Sequence, residues 1–174
     1  MAASSMIVGI SDCKVTRDPN SVLVTYALGS CIAVLMHDPV TKVSGLLHYM
    51  LPESAIDAKK AEQNPFMFAD TGIPGMIHAL QTAGGDAKRM VVRLAGGAQV
   101  LDSQGVFQIG KRNYLAARRI LWKAGILIAG EAVGGEVSRT ARLEVATGRL
   151  WLREGGGMER ELVRNSAAPK AAVR

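Results

Sequence analysis

A chain of 174 residues that is 48% hydrophobic and 21% charged is long enough to bury a core without disulfides or a structural metal, and too apolar for a disordered or fibrous protein. Its longest apolar stretches, Ile32 to Met36 and Gly125 to Gly130, fall far short of the roughly 20 residues that cross a bilayer, so no membrane insertion is expected. The formal charge of +6 is diffuse and partly confined to Arg160, Arg164, Lys170 and Arg174, and with aromatics at 5% there is little from which to build a base-stacking platform, which argues against a nucleic-acid partner.

The N-terminus reaches only a short apolar run, Met6 to Ile10, with no basic segment before it. No signal peptide is expected, and the expected location is the cytoplasm, where Cys13 and Cys31 would stay separate reduced thiols. From Ser21 to Leu51 the pattern is strand-like. Val22 to Tyr26 lead to a Gly29-Ser30 turn, then Ile32 to Met36, a turn at Asp38-Pro39, and Val43 to Leu51, which reads as consecutive buried strands, the last two forming an antiparallel hairpin. Pro52 to Pro65 is polar and reads as a surface loop.

Phe66, Ala69, Ile73, Ile77 and Leu80 recur at helical spacing and predict a helix ending at Gly84-Gly85, with Gly72 and Pro74 weakening its start. Met90 to Leu94 is a buried strand ending at Gly96-Gly97, and Tyr114 to Ala124 is an amphipathic helix ending at Gly125. Ile126 to Ile128 is a further strand, and Arg142 to Val145 with Arg149 to Leu152 flank Thr147-Gly148 as a hairpin. The sequence therefore predicts an α/β or α+β fold, with one catalytic domain over residues 1–154 and a mobile tail over 155–174.

Chemistry concentrates between Thr25 and His48. A cysteine attacks a carbonyl as thiolate, and an ordinary thiol near pKa ~8.5 needs a base beside it at neutral pH. His48 interrupts the apolar run Gly45-Leu46-Leu47-His48-Tyr49-Met50, and a buried imidazole is unfavourable unless its polar atoms are satisfied. Thr25 stands one strand earlier, where its hydroxyl or carbonyl could accept the second imidazole N–H and hold the useful tautomer. Gly29 and Ser30 form the turn before Cys31 and place backbone N–H groups where an oxyanion would develop.

Read from spacing alone, a lone cysteine or histidine in an apolar strand is more often ordinary core than catalytic machinery, and Thr25 between Val24 and Tyr26 is ordinary strand composition. His37 reads as a turn residue, His78 as a helix-surface residue, Cys13 as an edge thiol, and Gly96-Gly97-Ala98 as a tight turn rather than an anion cradle. Without Cys-x-x-Cys or His-x-x-x-His spacing, no metal site is expected, and the absence of a P-loop lysine pattern or dinucleotide fingerprint is what favours the turn reading of Gly96-Gly97-Ala98.

Thr25-Tyr26-Ala27-Leu28-Gly29-Ser30-Cys31 and Gly45-Leu46-Leu47-His48-Tyr49-Met50-Leu51-Pro52 resemble the CheD chemoreceptor glutamine deamidases. Gly96-Gly97-Ala98, Ile109-Gly110-Lys111-Arg112-Asn113, Gly125-Ile126, Val133-Gly134-Gly135 to Arg139 and Thr147-Gly148 follow in the family's order, so the resemblance covers roughly residues 5 to 153. It implies a sandwich of mixed or antiparallel sheet with flanking helices, similar to the catalytic domain of cytotoxic necrotizing toxins. It also implies Cys31 as nucleophile, His48 as base and Thr25 as orienting residue, with selected glutamines of methyl-accepting chemoreceptors as substrate. Some members bind the phosphatase CheC, which links them to the response regulator CheY. Two alternatives remain open from sequence: an adaptor that binds receptors and CheC with little catalysis, and a hydrolase of receptor glutamate methyl esters.

Overall fold

The computed structural model describes residues 4–100, 104 and 106–165. Its strands are β1 (Ser4–Ile7), β2 (Asp12–Thr16), β3 (Ser21–Leu28), β4 (Ile32–His37), β5 (Ser44–Tyr49), β6 (Val91–Gly96), β7 (Ile128–Val133), β8 (Arg139–Glu144), β9 (Leu150–Glu154) and β10 (Arg160–Glu161); its helices are α1 (Ala58–Gln63), α2 (Ala69–Thr82) and α3 (Ile109–Lys123). One sheet runs β1-β3-β8-β9-β10 and the other β2-β5-β4-β6-β7. Both are mixed: β1 pairs parallel to β3 and β6 parallel to β7, while the remaining pairs are antiparallel.

The largely apolar runs of the sequence become β4, β5 and β6, every residue of which is buried. A strand covered on both faces has no reason to alternate. One face of these strands, through Ala33, Leu35, Leu46 and Ala95, meets Leu23, Leu28, Ala141, Leu143 and Leu150 of the other sheet. The opposite face, through Ile32, Val34, Met36, Leu47, Tyr49, Val92 and Leu94, is covered by Ile73, Met76 and Leu80 of α2 and Ala116, Ala117 and Leu121 of α3. By contrast β8, which has one solvated face, alternates strictly between buried and half-buried residues. The fold is α/β, a layer of helices on two stacked mixed sheets.

Several elements differ from the sequence expectation. β3 and β4 are consecutive but belong to different sheets, so residues 29–31 carry the chain from one sheet to the other instead of turning within one. β3 does not stop at Thr25; it continues to Leu28 across an irregularity in its pairing with β8, where Ala27 takes φ 55°. The polar segment 52–65 is not a loop throughout, because it holds a short 3-10 turn at Ser54–Ile56 and α1, which Asp57 caps by accepting from the Lys60 N–H at 3.1 Å. α2 begins before Gly72 and Pro74. Gly72 brings it close to β5, since a Cβ there would lie 3.3 Å from the Leu47 side chain, and Pro74 faces solvent.

α3 starts at Ile109, five residues ahead of the amphipathic pattern, after Gln108 in the left-handed region. β7 runs from Ile128 to Val133, where the sequence predicts a strand only over Ile126 to Ile128. His37 is not an exposed turn residue. It is the buried last residue of β4, pointing with Ala33 and Leu35 toward the other sheet. Within the predicted tail, β10 pairs with β9, Leu162 is buried, and the Asn165 N–H donates to the Ala129 carbonyl at 2.7 Å; the remainder of that tail, residues 166–174, lies outside the described residues.

Candidate active site

The register of the hairpin decides which side chains meet. Ala33 of β4 stands opposite His48 of β5, and Ile32 opposite Tyr49. Side chains alternate along a strand, so Cys31, two positions before Ala33, falls on the face that carries His48, as its diagonal neighbour at a distance long side chains span. That face looks across the interlayer at β3, and Thr25 reaches over from it: its Oγ1 lies 2.8 Å from His48 Nδ1. Thr25 and His48 are both fully buried, while Cys31 is half-buried at the mouth of the interlayer.

The hydrogen count fixes the tautomer. Thr25 Oγ1 also lies 2.7 Å from the Val8 carbonyl, which can only accept, so the single hydroxyl hydrogen goes to Val8 and Oγ1 must accept from the imidazole. His48 therefore carries its hydrogen on Nδ1 and leaves Nε2 with a free lone pair. Nε2 is buried without a hydrogen-bond partner among the described residues, which is the state a base needs before a proton arrives. Burial pushes the His48 pKa down to about 4. Burial also raises the Cys31 thiol, against a smaller opposing pull from its own backbone N–H. Burial therefore favours the uncharged form of both groups.

The Cys31 loop is held from behind. The Gly97 N–H donates to the Cys31 carbonyl and the Ala98 N–H to the Gly29 carbonyl, each at 2.8 Å. Gly96-Gly97-Ala98 is not a tight turn: Gly96 is the last residue of β6 and Gly97 and Ala98 follow it without regular structure, their N–H groups facing protein carbonyls. Gly96 sits at φ 112°, and a Cβ there would lie 2.2 Å from the Cys31 oxygen, so close approach and backbone angle both require glycine. From α3, the buried Asn113 donates through Nδ2 to the carbonyls of Ser30 at 3.0 Å and Met50 at 2.7 Å. Ser30 and Gly29 therefore stand in the loop with their carbonyls engaged and turned from solvent.

Sequence reasoning missed Val8 and Asn113. Nothing local marks a carbonyl seventeen residues from its partner. Asn113 did leave a trace: with Ala116, Ala117, Ile120 and Leu121 it lies at helical spacing on the apolar stripe of α3, where an amide is out of place unless hydrogen-bonded. Of the other polar residues, His78 is exposed on α2 and Cys13 is half-buried on the edge strand β2, where burial first and Asp12 second push its thiol up to about 12. No helix among the described residues is long and apolar enough to cross a membrane.

Comparison with known proteins adds an independent line. The family model described as CheD chemotactic sensory transduction matches residues 50–154, downstream of Cys31 and His48. Full-length relatives reach across them. The probable chemoreceptor glutamine deamidase CheD of Solibacter usitatus is 56% identical over 158 residues, 91% of this chain and 93% of that protein. CheD 1 of Syntrophus aciditrophicus, with the same probable activity, is 50% identical over 157 residues, 90% of this chain and 98% of its own. The chemoreceptor glutamine deamidase CheD of Thermotoga maritima is 37% identical over 153 residues, 88% and 94% of the two chains. A matched span of 158 residues in a chain of 174 cannot avoid positions 25 to 48. By the extent of these matches, the chain belongs to the CheD family.

Proposed function

We propose that this chain hydrolyses the side-chain amide of glutamines on chemoreceptors to glutamate, with Cys31 as nucleophile, His48 as general base and acid, and Thr25 as the residue that orients the imidazole. The observation that carries the reading is the relay from Val8 through Thr25 to His48, which leaves a bare, buried Nε2 on the face shared with Cys31. A structural histidine has no need of a lone pair kept free beside a thiol.

From a neutral pair, Nε2 takes the Cys31 proton as sulfur attacks the amide carbon, and the carbonyl oxygen becomes an oxyanion beside the Gly29-Ser30-Cys31 loop. The imidazolium returns that proton to the leaving nitrogen, ammonia departs, and a thioester remains. His48 then removes a proton from water, hydroxide adds to the thioester carbon, and the thiolate leaves and recovers its proton, releasing glutamate. No redox step or cofactor enters this balance.

In the same reading the chain is one catalytic domain working in the cytoplasm on the receptor's cytoplasmic portion, with a sandwich akin to the cytotoxic necrotizing toxin catalytic domain and with CheC as a regulatory partner. The test is intact-mass spectrometry of a co-expressed chemoreceptor cytoplasmic fragment. Wild type is expected to add about one dalton per converted glutamine and Cys31→Ala none. Loss of mass from methylated fragments would point to ester hydrolysis, and receptor binding without any mass change to an adaptor.

A further inference from the structure

Three successive carbonyls, those of Gly29, Ser30 and Cys31, are each taken by a protein donor: Ala98 N–H, Asn113 Nδ2 and Gly97 N–H. The two sources of these donors are locked together. A Cβ on Gly110, in the first turn of α3, would lie 2.4 Å from the Gly97 oxygen, so the helix and the Gly96-Gly97-Ala98 segment form one rigid backing. Asn113 is anchored within it. Its own carbonyl accepts from the Tyr49 hydroxyl at 2.6 Å, and its Nδ2 spans Ser30 O and Met50 O, bridging the residue before the nucleophile and the strand of the base. The amide cannot be reversed, because Oδ1 would then face two carbonyl oxygens; it stays buried without a partner among the described residues. An unsatisfied buried acceptor is unfavourable, so the bridge is kept at a cost.

The consequence follows from peptide planarity. In a trans peptide the C=O of one residue and the N–H of the next point in opposite directions. With the Ser30 carbonyl turned to Asn113, the Cys31 N–H points away from α3, and with the Gly29 carbonyl turned to Ala98, the Ser30 N–H points away from the glycine segment. The pull of the Cys31 N–H on its own sulfur agrees with this direction. The carbon under attack must lie within bonding distance of that sulfur, which brings its oxygen within reach of the same N–H.

We infer that Asn113 is a positioning residue for the oxyanion donor: by holding the Ser30 carbonyl it sets the Ser30–Cys31 peptide so that the Cys31 N–H meets the oxygen of the glutamine amide under attack. The inference rests on the reading of Cys31 as nucleophile. It separates two functions of one loop, since thiol reactivity depends on Cys31 and His48, whereas hydrolysis also requires a correctly aimed N–H.

The experiment compares Asn113→Leu, which keeps most of the side-chain volume and removes both donors, with wild type and Cys31→Ala. Two rates are read on the same folded preparation: ammonia release from a purified chemoreceptor cytoplasmic fragment, and iodoacetamide alkylation of the Cys31 peptide followed by mass spectrometry. Alkylation displaces iodide and develops no oxyanion. We expect kcat to fall between about tenfold and a hundredfold, below the loss from deleting a donor outright, with KM and the alkylation rate within about threefold of wild type. Unchanged kcat, or a parallel fall in kcat and alkylation, overturns the inference and leaves Asn113 a structural residue. Ammonia release by Cys31→Ala at the wild-type rate overturns the Cys31 reading and this one with it. Should Asn113→Leu not fold, Asn113→Ser takes its place: a fall in kcat with alkylation preserved supports the inference, and unchanged kcat or a parallel fall overturns it.

Discussion

His48 and His37 occupy opposite ends of the β4–β5 hairpin with nearly identical local chemistry. Both rings face the interlayer, with His48 opposite Ala33 and His37 opposite Ser44. Each Nδ1 lies 2.8 Å from a hydroxyl, Thr25 Oγ1 or Ser44 Oγ. Each hydroxyl gives its own hydrogen to a carbonyl, Val8 at 2.7 Å or Lys42 at 3.1 Å, so both imidazoles carry hydrogen on Nδ1. Both Nε2 atoms are buried without partners among the described residues. What differs is the surroundings of that free nitrogen. On the face that carries His48, the register places the half-buried Cys31 at a diagonal position; over His37 lies the turn at Gly148, where a Cβ would come within 2.7 Å of Nε2. A neutral histidine with a bare nitrogen is therefore something this fold makes twice, and in the proposed mechanism only the one that shares its face with Cys31 has a proton to take.

The comparison breaks if the two histidines respond alike. His48→Gln is expected to lower kcat/KM for deamidation by about 10³-fold, the loss of a general base, whereas His37→Gln should leave activity per folded molecule within about twofold; ammonia release from a receptor fragment reads both. One shell out, Thr25→Val leaves the His48 Nδ1–H and the Val8 carbonyl unpaired. That should cost about 1–3 kcal/mol of stability and lower kcat between about tenfold and a hundredfold by releasing the tautomer. Ser44→Ala removes the equivalent hydroxyl at His37 and should show the stability loss in urea denaturation with no change in kcat.

The same pair shows what a sequence can disclose. His48 was legible because a polar residue breaks the run Leu46-Leu47-His48-Tyr49 and a cysteine lies one strand earlier. His37, next to Asp38-Pro39, resembled a turn residue because burial at a strand end depends on what covers it, here the hairpin tip of another sheet. β4, β5 and β6 were legible from composition, since strands covered on both faces are largely apolar. The change of sheet at residues 29–31 was not, because pairing partners are set by long-range register: Thr25 pairs with Ala141 while Ile32 pairs with Gly96. α1 was hidden because none of its residues is buried, so no apolar periodicity marks it.

Backbone contrasts sharpen the comparison at smaller amplitude. Gly96→Ala would set a Cβ 2.2 Å from the Cys31 oxygen, and Gly148→Ala would set one 2.3 Å from the His37 ring, both at positive φ. Each should cost at least about 2 kcal/mol of stability. Activity per folded molecule should fall in Gly96→Ala alone, because only there does the displaced group belong to Cys31, the proposed nucleophile.

The smallest effect is in acid, and it is shared. Burial lowers both histidines to about 4 from an ordinary value of 6.5, assisted at His37 by the Lys42 and Arg93 cations and opposed by Asp38. Asp38 itself stays ionised despite its burial, held far below the usual carboxylate range by Arg89 and the Val40 and Asp86 N–H groups, so its charge is unchanged through this window. Between pH 6.5 and 4 the unfolded chain binds protons that the folded chain refuses, so stability is complete above pH 6.5 and falls as pH drops toward 4. Urea denaturation is expected to lose about 1 kcal/mol per histidine between pH 7 and pH 5.5. His37→Gln and His48→Gln should each remove about half of that slope, and equal contributions are the signature of two histidines alike in burial and unlike in use. A slope untouched by His48→Gln would mean that His48 titrates alike in the folded and unfolded chains, so that burial does not set its protonation apart from that of an exposed histidine.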